Sequence, residues 1–539
     1  SFNMGLLDSI NIDARIERAK EKIKEIYLRD NLPWVIGYSG GKDSTCTTQI
    51  IVDSILDLSD SGKERTKKIY VISSDTMVET PMIIETIQDT ISRINILAKR
   101  YKLPIEAQII RPSISKSFWV NMIGRGYPCP NQTFRWCTDR LKIEPANQFI
   151  ESIINEYGEA VMILGVREGE SQSRDRVLNN HTIEGKDLMR HTTQANSYVF
   201  APIREFSKDD VWNYLLSHKS PWGSDNMKLF KLYQDSLTGE ECPMIMTEEE
   251  KKQTTCGNSR FGCWMCTVVT EDKSLTGFIK SGITWLKPLL EYRNWVYSIR
   301  DDDSRRMNRR MNGSIYFSKV DTDSKGNIII AAKGHRSKNV ISFNGIEWRD
   351  LSGNEWHVFT SESSEDDAKK YIIDHSVSLE NGENPRILIK KLDDQFYQLG
   401  VGPFTLQTRQ EMLDKLLKLQ SSLSNGYQLI KKEELEEIQK IWYEYGDINN
   451  SVSEIYKRYY SDDLVLVNDD ITLLSRDDYT YLKKICHDNG IEYSLFADLL
   501  DLEKINVGYN RRTDVIKQIK SKFSQEYLIL NATGDSYED

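Results

Sequence analysis

Nowhere in its 539 residues does this sequence hold the run of roughly 20 apolar residues that a membrane-spanning helix needs. Ser1 to Leu7 offer no charged stretch leading into an apolar one, so no signal peptide is expected and the protein reads as cytoplasmic, with no membrane partner. Cysteine is scarce: eight residues in the whole chain exclude a disulfide scaffold. Positive charge is not in excess. Lysine and arginine number 71 against 81 acidic residues, a net charge of −10, which excludes a protein that grips nucleic acid over its whole surface. Contact with DNA would have to be local or shared with a partner subunit. Internal repeats are absent as well. What is there is an ordinary soluble composition, 28% charged and 39% hydrophobic, in a chain long enough for two or three cores.

The first 215 or so residues alternate short β-branched runs with helical patterns. Strands are expected at Trp34–Tyr38, Lys68–Ser73, Ile105–Arg111 and Val161–Gly165, with helices at Asp43–Leu58, Glu79–Tyr101 and Leu141–Tyr157 between them. This spacing predicts an α/β fold: a parallel, Rossmann-like sheet with helices on both faces, whose ligands lie beyond the carboxyl ends of the strands. From Ser220 to Trp285 the pattern is irregular and cysteine-rich. Past Arg300 it reads as mixed α+β. Hairpins are expected at Ser314–Val320 with Asn327–Ala332 and at Val340–Trp348 with Trp356–Thr360, then helices at Leu406–Leu423, Lys431–Tyr445 and Thr513–Phe523. The expected division is 1–219, 220–300 and 301–539, the last an accessory region for DNA or partner contacts.

The sharpest local signal is Val35-Ile-Gly-Tyr-Ser39-Gly40-Gly41-Lys42-Asp43-Ser44. An apolar strand enters a glycine turn that opens a helix. Glycines let the backbone approach phosphate oxygens, and free N–H groups at a helix start favour an anion. Ser39 and Ser44 add hydroxyl donors and Lys42 a charge. Asp43 can cap the helix or help to hold Mg²⁺. The loop is not a Walker A motif, which has four residues between its glycine and its Gly-Lys pair.

The cysteine cluster is the second signal. Cys242, Cys256, Cys263 and Cys266 are spaced C-x13-C-x6-C-x2-C. Four thiolates suit either structural zinc or an iron–sulfur cluster, and spacing alone does not separate them. Cys137 lies between Arg135 and Arg140, a setting that predicts a lowered pKa and a reactive thiol. Cys129 is a weaker candidate, and Cys46 and Cys486 read as buried fillers.

The compact Ser-Gly-Gly-Lys-Asp-Ser form resembles the PP-loop of enzymes that split ATP into AMP and pyrophosphate. Further segments are similar to the PAPS reductase-like family, in its order: Asp75-Thr76 with Glu79-Thr80-Pro81, Arg135-Trp-Cys137 with Arg140 and Lys142, Gly165-Val-Arg167 with Glu170-Ser171 and Arg174, and Pro202-Ile-Arg204 through Trp212. The resemblance covers roughly residues 30–215. It implies nucleotide contacts from Ser39, Gly40, Gly41, Lys42, Asp43, Ser44, Asp75, Lys142, Arg167 and Arg174, with Lys42, Asp43, Cys137 and Arg167 in catalytic roles. It also favours a [4Fe–4S] cluster over zinc. Assimilatory reductases with a cluster carry a Cys-Cys pair where this chain has Trp136-Cys137. Cys242, Cys256, Cys263 and Cys266 make up four ligands without Cys137, leaving it as a sulfur-handling thiol.

Within that family, the large additional region, the cysteine spacing and the Arg-Trp-Cys element together look like the DndC sulfurtransferases of DNA phosphorothioation. That resemblance implies ATP-dependent activation of a DNA backbone phosphate, a cysteine desulfurase as sulfur source, and DndD and DndE subunits as partners. Two other readings stand beside it: a PAPS or APS reductase of sulfate assimilation, and a scaffold that binds nucleotide and DNA without turnover. The reductases resemble one another in a C-terminal Glu-Cys-Gly-x-x-His motif or a thioredoxin-like domain. Past Cys266 this sequence has only Cys486. For DNA contact, Arg305, Arg306, Arg309 and Arg310 would share nearly one face if they lay on a helix.

Overall fold

The structure, a computed structural model, describes residues 2–60, 62, 63, 65–169, 189, 190, 196–236, 262–331, 338–445, 447, 450–464, 476–505 and 517–520. Two compact units are distinguished, Ser1–Phe118 with Pro130–Arg293, and Trp119–Cys129 with Asn294–Asp539.

The first unit is built on a six-stranded sheet of β1 (Trp34–Gly37), β2 (Ile69–Ser74), β3 (Ile105–Ile110), β4 (Ala160–Ile163), β5 (Met189–Arg190) and β6 (Ser197–Phe200), in the order β3-β2-β1-β4-β6-β5. All neighbours are parallel except β5, which runs antiparallel to β6. Its helices are α1 (Phe2–Arg29), α2 (Lys42–Asp60), α3 (Pro81–Tyr101), α4 (Glu144–Tyr157), α5 (Lys208–Ser217), α6 (Asn226–Asp235) and α7 (Lys273–Lys280), and α8 (Lys287–Ile299) follows. The pleat sends Trp34, Ile36, Ile69 and Val71 into the larger core with Ile50, Ile87 and Trp212, and Val35, Tyr70 and Ile72 into a second with Ile150 and Ile153 of α4. Both faces are covered, which is why these strands read as unbroken apolar runs. The expected strands and helices are all present, displaced by a residue or two at most ends. The exception is Leu141–Tyr157: its regular part starts at Glu144 because Asp139–Ile143 is a π-turn. The expected helix Thr513–Phe523 is described only at Lys517–Lys520, which is helical.

The second unit carries an eight-stranded sheet of β7 (Phe317–Lys319), β8 (Asp321–Thr322), β9 (Ile328–Ala331), β10 (Lys338–Phe343), β11 (Trp348–Asp350), β12 (Glu355–Phe359), β13 (Ile387–Lys390) and β14 (Phe396–Leu399), in the order β7-β14-β13-β12-β11-β10-β9-β8. The expected hairpin of Ser314–Val320 with Asn327–Ala332 is not formed. β7 pairs with β14, and β9 pairs with β8 and β10. Alternation marks a strand but carries no information about its partner, and Phe317 finds its place beside Leu399 in a core with Ile387 and Ile389. Of the second expected hairpin, Trp348 does pair with Trp356.

The arginine run is a correction too. Past α8 the chain makes only a 3₁₀ turn at Asp303–Arg305, so no helix presents the four guanidinium groups together. Arg305 pairs with Glu411 at 2.7 Å, Arg309 with Glu492 at 2.8 Å and with Glu380, and Arg306 bonds the Gly402 carbonyl. Arg310 stacks over Tyr316 at 4.5 Å. These side chains are occupied within the fold.

Residues Trp119–Cys129 belong to the second unit through three bonds to their backbone or indole. Trp119 Nε1 donates to the Leu429 carbonyl at 3.0 Å, Trp442 Nε1 to that of Ile123 at 2.9 Å, and Arg409 Nη1 to that of Gly124 at 2.8 Å. Arg409 is buried, also donates to the Phe404 carbonyl at 2.9 Å, and is pushed down to about 10 by that burial. Methionine at Arg409 would strand both carbonyls. Arg409→Met is therefore expected to destabilise this unit by about 2–4 kcal/mol in urea unfolding; an unchanged midpoint would show that the carbonyls find other donors.

Candidate functional site

The carboxyl ends of β1, β2 and β4 converge, and each is followed by one of the segments singled out above. After β1 the chain turns through Ser39-Gly40-Gly41 into α2. Gly40 has φ +81°, a left-handed conformation, and a Cβ there would meet Ile87 at 3.0 Å, so glycine is required twice over. Ser44 Oγ accepts the Ser39 N–H at 3.1 Å and lies 3.1 Å from Ser39 Oγ, bracing the turn from inside. Thr45 and Thr47 hydroxyls bond back to the carbonyls of Gly41 and Asp43 at 2.7 and 2.8 Å.

Asp43, in the first turn of α2, joins this loop to the segment after β4. One carboxylate oxygen accepts from Lys42 Nζ at 3.0 Å and the other from Arg167 Nε at 2.8 Å. Burial alone pushes its pKa up, but Lys42 and Arg167 outweigh it and hold the carboxyl below its usual range. Gly165 makes the approach possible: a Cβ there would sit 3.1 Å from the Asp43 carbonyl and from Thr47 Oγ1. Lys42, Asp43 and Arg167, expected together, are together. Arg174 lies outside the described residues.

Asp75 is nearby but turned to another task. One oxygen accepts the Met77 N–H at 2.8 Å, in a turn that holds Met77 at φ +67°, and the other accepts from Arg111 at 2.9 Å. It shapes its own loop, and that loop carries the cysteine turn. Trp264 N–H donates to the Val78 carbonyl at 3.0 Å, Thr80 Oγ1 donates to that of Gly262 at 2.9 Å, and Glu79 and Cys263 form a β-bridge. From the other side Arg293, fully buried, donates to the carbonyls of Cys266 at 2.9 Å and Thr270 at 2.9 Å.

Cys263 Sγ lies 3.2 Å from Thr76 Oγ1, which donates to Glu79 Oε1 at 3.0 Å. Burial pushes the Cys263 thiol well up, Glu79 adds to the rise, and Lys142 opposes it. Burial likewise raises Glu79, against the pull of Lys142 and Thr76. Cys137 is close enough to Cys266 and Lys142 to feel their charges. Its expected low pKa is not found. Burial and Cys266 raise it, Thr138 and Lys142 fail to compensate, and Arg135 turns away to Gln132. The Lys142 charge opposes the rise at Cys137, Cys263 and Glu79 alike. Cys129 belongs to the second unit, and burial pushes it up to about 12. Cys46 and Cys486 are buried, as expected of fillers.

Cys242 and Cys256 lie outside the described residues. Among the described residues, no three His, Cys, Asp or Glu side chains stand close enough to share a metal ion. The donors present suit thiolate ligation. Cys137, Cys263 and Cys266 are free of disulfides, and Trp264 and Met265 beside them are buried. Mg²⁺ has a less direct claim on Asp43, whose two oxygens already hold cations; Mg²⁺ would enter with nucleotide phosphates. No helix among the described residues is long and apolar enough to cross a membrane.

Tyr233 and Arg293 are the site residues that sequence reasoning missed. Thr76 and Glu79 stood in a segment already singled out, whereas nothing local marks Tyr233 or Arg293. Tyr233 is 191 residues from Lys42, whose backbone N–H it accepts at 2.9 Å.

The Asp43 pairing has a pH signature. A carboxyl depressed on folding stabilises the protein fully above its unfolded pKa of about 4, and that contribution is lost as pH falls through the folded value. Asp43→Asn, which leaves two cations uncompensated, is expected to cost about 3 kcal/mol at neutral pH. In denaturant titrations the gap to wild type should close as pH falls below about 4. A gap independent of pH would deny the pairing its role.

A family model of the phosphoadenosine phosphosulfate reductase domain matches residues 33–269. The uncharacterized protein MJ0066 of Methanocaldococcus jannaschii is 28% identical over 252 residues, covering 46% of this chain and 43% of its own length. The match thus spans less than half of that relative. Among solved structures, the PAPS reductase of Candida auris overlaps 38% of this chain and 84% of its own at 13% identity and a TM-score of 0.24. Candida glabrata FMN adenylyltransferase overlaps 43% and 62% at 15% identity and a TM-score of 0.25. The matched stretch begins at β1 and takes in the glycine turn at the head of α2, so residues 33–269 are similar to the PAPS reductase domain.

Proposed function

We propose that this protein is an ATP pyrophosphatase and sulfurtransferase of DNA backbone phosphorothioation, acting in the cytoplasm. The observation that carries the reading is the placement of a PP-loop, with Asp43 clasped by Lys42 and Arg167, at the same sheet edge as the thiols of Cys263 and Cys266. Ser39, Gly40, Gly41, Lys42 and Ser44 would hold the β and γ phosphates, the N–H groups and the helix dipole matching their charge. Arg167 would meet the phosphoryl oxygens with its guanidinium fork. Cleavage between the α and β phosphorus would then leave AMP on the activated side and release pyrophosphate. The DNA phosphate would be activated for replacement of one oxygen by sulfur. Arg174 would add a further charge, and Mg²⁺ would accompany the nucleotide.

Cys263 and Cys266, with Cys242 and Cys256, would hold a [4Fe–4S] cluster. Bound there, it supplies a thiolate-ligated redox centre. Cys137, beside Cys266 and Lys142, is the thiol left to carry sulfur. A cysteine desulfurase would load it, and DndD- and DndE-type subunits would share the contact with DNA, as the acidic balance of this chain favours.

The nucleotide reading is tested by product analysis. Wild type should release AMP and pyrophosphate, and Lys42→Ala should lose at least 90% of that activity, an estimate of about 1.4 kcal/mol or more of lost transition-state binding, with its fold kept. Release of ADP and orthophosphate would sink the assignment.

Iron and sulfide assays on anaerobically prepared protein test the second half. Broad absorbance near roughly 400 nm should accompany the iron, and Cys263→Ser should bleach it. Cys137→Ser should keep iron and pyrophosphate release while losing phosphorothioate in DNA. Iron lost with Cys137 would make it a ligand instead, and stoichiometric zinc in wild type would overturn the cluster.

A further inference from the structure

A cavity of about 540 Å³ opens in the first unit, with Gln132 to Trp136, Thr138 and Arg140 as its walls. Cys137 stands in the chain between two of those lining residues. The loop that forms the cavity is braced from within. Asn131 Oδ1 accepts the N–H groups of Thr133 at 2.9 Å and Phe134 at 2.8 Å, and the Asn131 N–H donates to the Phe134 carbonyl at 3.1 Å. It is also tied to the cysteine turn: the Thr267 hydroxyl donates to the Pro130 carbonyl at 2.8 Å, and the Gln132 amide to that of Val268 at 3.3 Å. Trp136 is buried and stacked on Phe118, centroids 5.6 Å apart at 21°. Phe134, between these anchors in the chain, is 47% exposed.

A lone exposed aromatic is ordinary on a protein surface. This one is a wall of a cavity, and its neighbour on that wall is a guanidinium. Arg135 donates to the side-chain oxygen of Gln132, a neutral amide that satisfies one of five N–H donors without cancelling the charge. A ring face beside a guanidinium suits a nucleotide, the base by stacking and the phosphate by charge. In a duplex the faces of a base are covered by its neighbours, so the base that meets Phe134 has left its stack. The volume is that of a cleft for one small ligand. A net charge of −10 confines nucleic-acid contact to local sites, and Arg305, Arg306 and Arg309 are engaged inside the other unit.

We infer that this cavity seats one unstacked nucleotide of a DNA strand, its base on the Phe134 ring and its phosphate on Arg135. The inference rests on the DNA reading of the protein. It places the strand beside the thiol that carries sulfur in that reading.

The test is fluorescence anisotropy of a labelled single-stranded DNA oligonucleotide on the full chain, over a range of salt, for wild type, Phe134→Ala and Arg135→Gln. Phe134→Ala should weaken binding about 10-fold, the loss of one base stacked on a ring, with the salt dependence unchanged. Arg135→Gln should reduce the slope of log affinity against log salt by about 0.7, one phosphate contact on a single strand. The KM for ATP in pyrophosphate release should stay where it is in both variants. A raised KM would assign the cavity to ATP and overturn the inference. Equal oligonucleotide binding by both variants also overturns it, and leaves the DNA reading intact with its contact elsewhere. The ring is exposed, so Phe134→Ala should keep the wild-type unfolding midpoint; weaker binding with a lowered midpoint gives Phe134 a packing role and overturns the inference too. If the wild type binds no oligonucleotide the inference falls, and the DNA reading then rests on the phosphorothioate assay alone.

Discussion

Asp43 sits where two chain segments 124 residues apart must meet, and its ion pairs with Lys42 and Arg167 are the constraint on which the site depends. A carboxylate in the first turn of a helix is favoured by the dipole. Here it also stands between two cations that would otherwise repel each other. Gly165 lets the β4 segment come within contact of the Asp43 carbonyl. The arrangement holds positive charge without leaving it unpaired.

The same edge of the sheet holds a second centre assembled by backbone bonds. Asp75 bends its own loop, Thr80 and Val78 receive the Gly262–Trp264 turn, and Arg293 clamps the carbonyls beyond it. Cys263 and Cys266 are held from both sides before any metal is considered. Burial raises Cys263 and Glu79 together, with Lys142 the nearby charge that opposes both shifts. Thiols in such a setting are poor free nucleophiles, because the anion is unfavourable without a cation to stabilise it. That is the environment in which metal ligation makes ionised sulfur stable. It is also why the flanking arginines misled for Cys137, since adjacency in sequence placed Arg135 against Gln132 instead.

What could be read without coordinates was what is local. The strand–glycine–helix joint at Trp34–Ser44, the strand–helix alternation up to Trp212 and the Cys-x-x-Cys turn each lie within one or two elements, and backbone preference and burial period decide them. Where an expectation concerned partners across the chain it often failed. Alternation in Ser314–Val320 announced a strand, but its neighbour proved to be Phe396–Leu399. Arg305 to Arg310 suggested a charged face, and the fold consumed them in pairs with Glu411, Glu492 and Glu380.

The sequence by itself determined the parallel α/β sheet and the glycine turn at its carboxyl edge, because glycine freedom, helix capping and apolar periodicity act over a few residues. Only the tertiary structure decided that Tyr233 reaches the Lys42 N–H, that Arg293 grips the cysteine turn, and that Lys142 stands with Glu79 and Cys263. Those contacts join residues that are far apart along the chain. Hydrogen bonds and charge act over a few ångströms of space, whatever the separation in sequence, and only the packing of sheet and helices sets which groups come within that range.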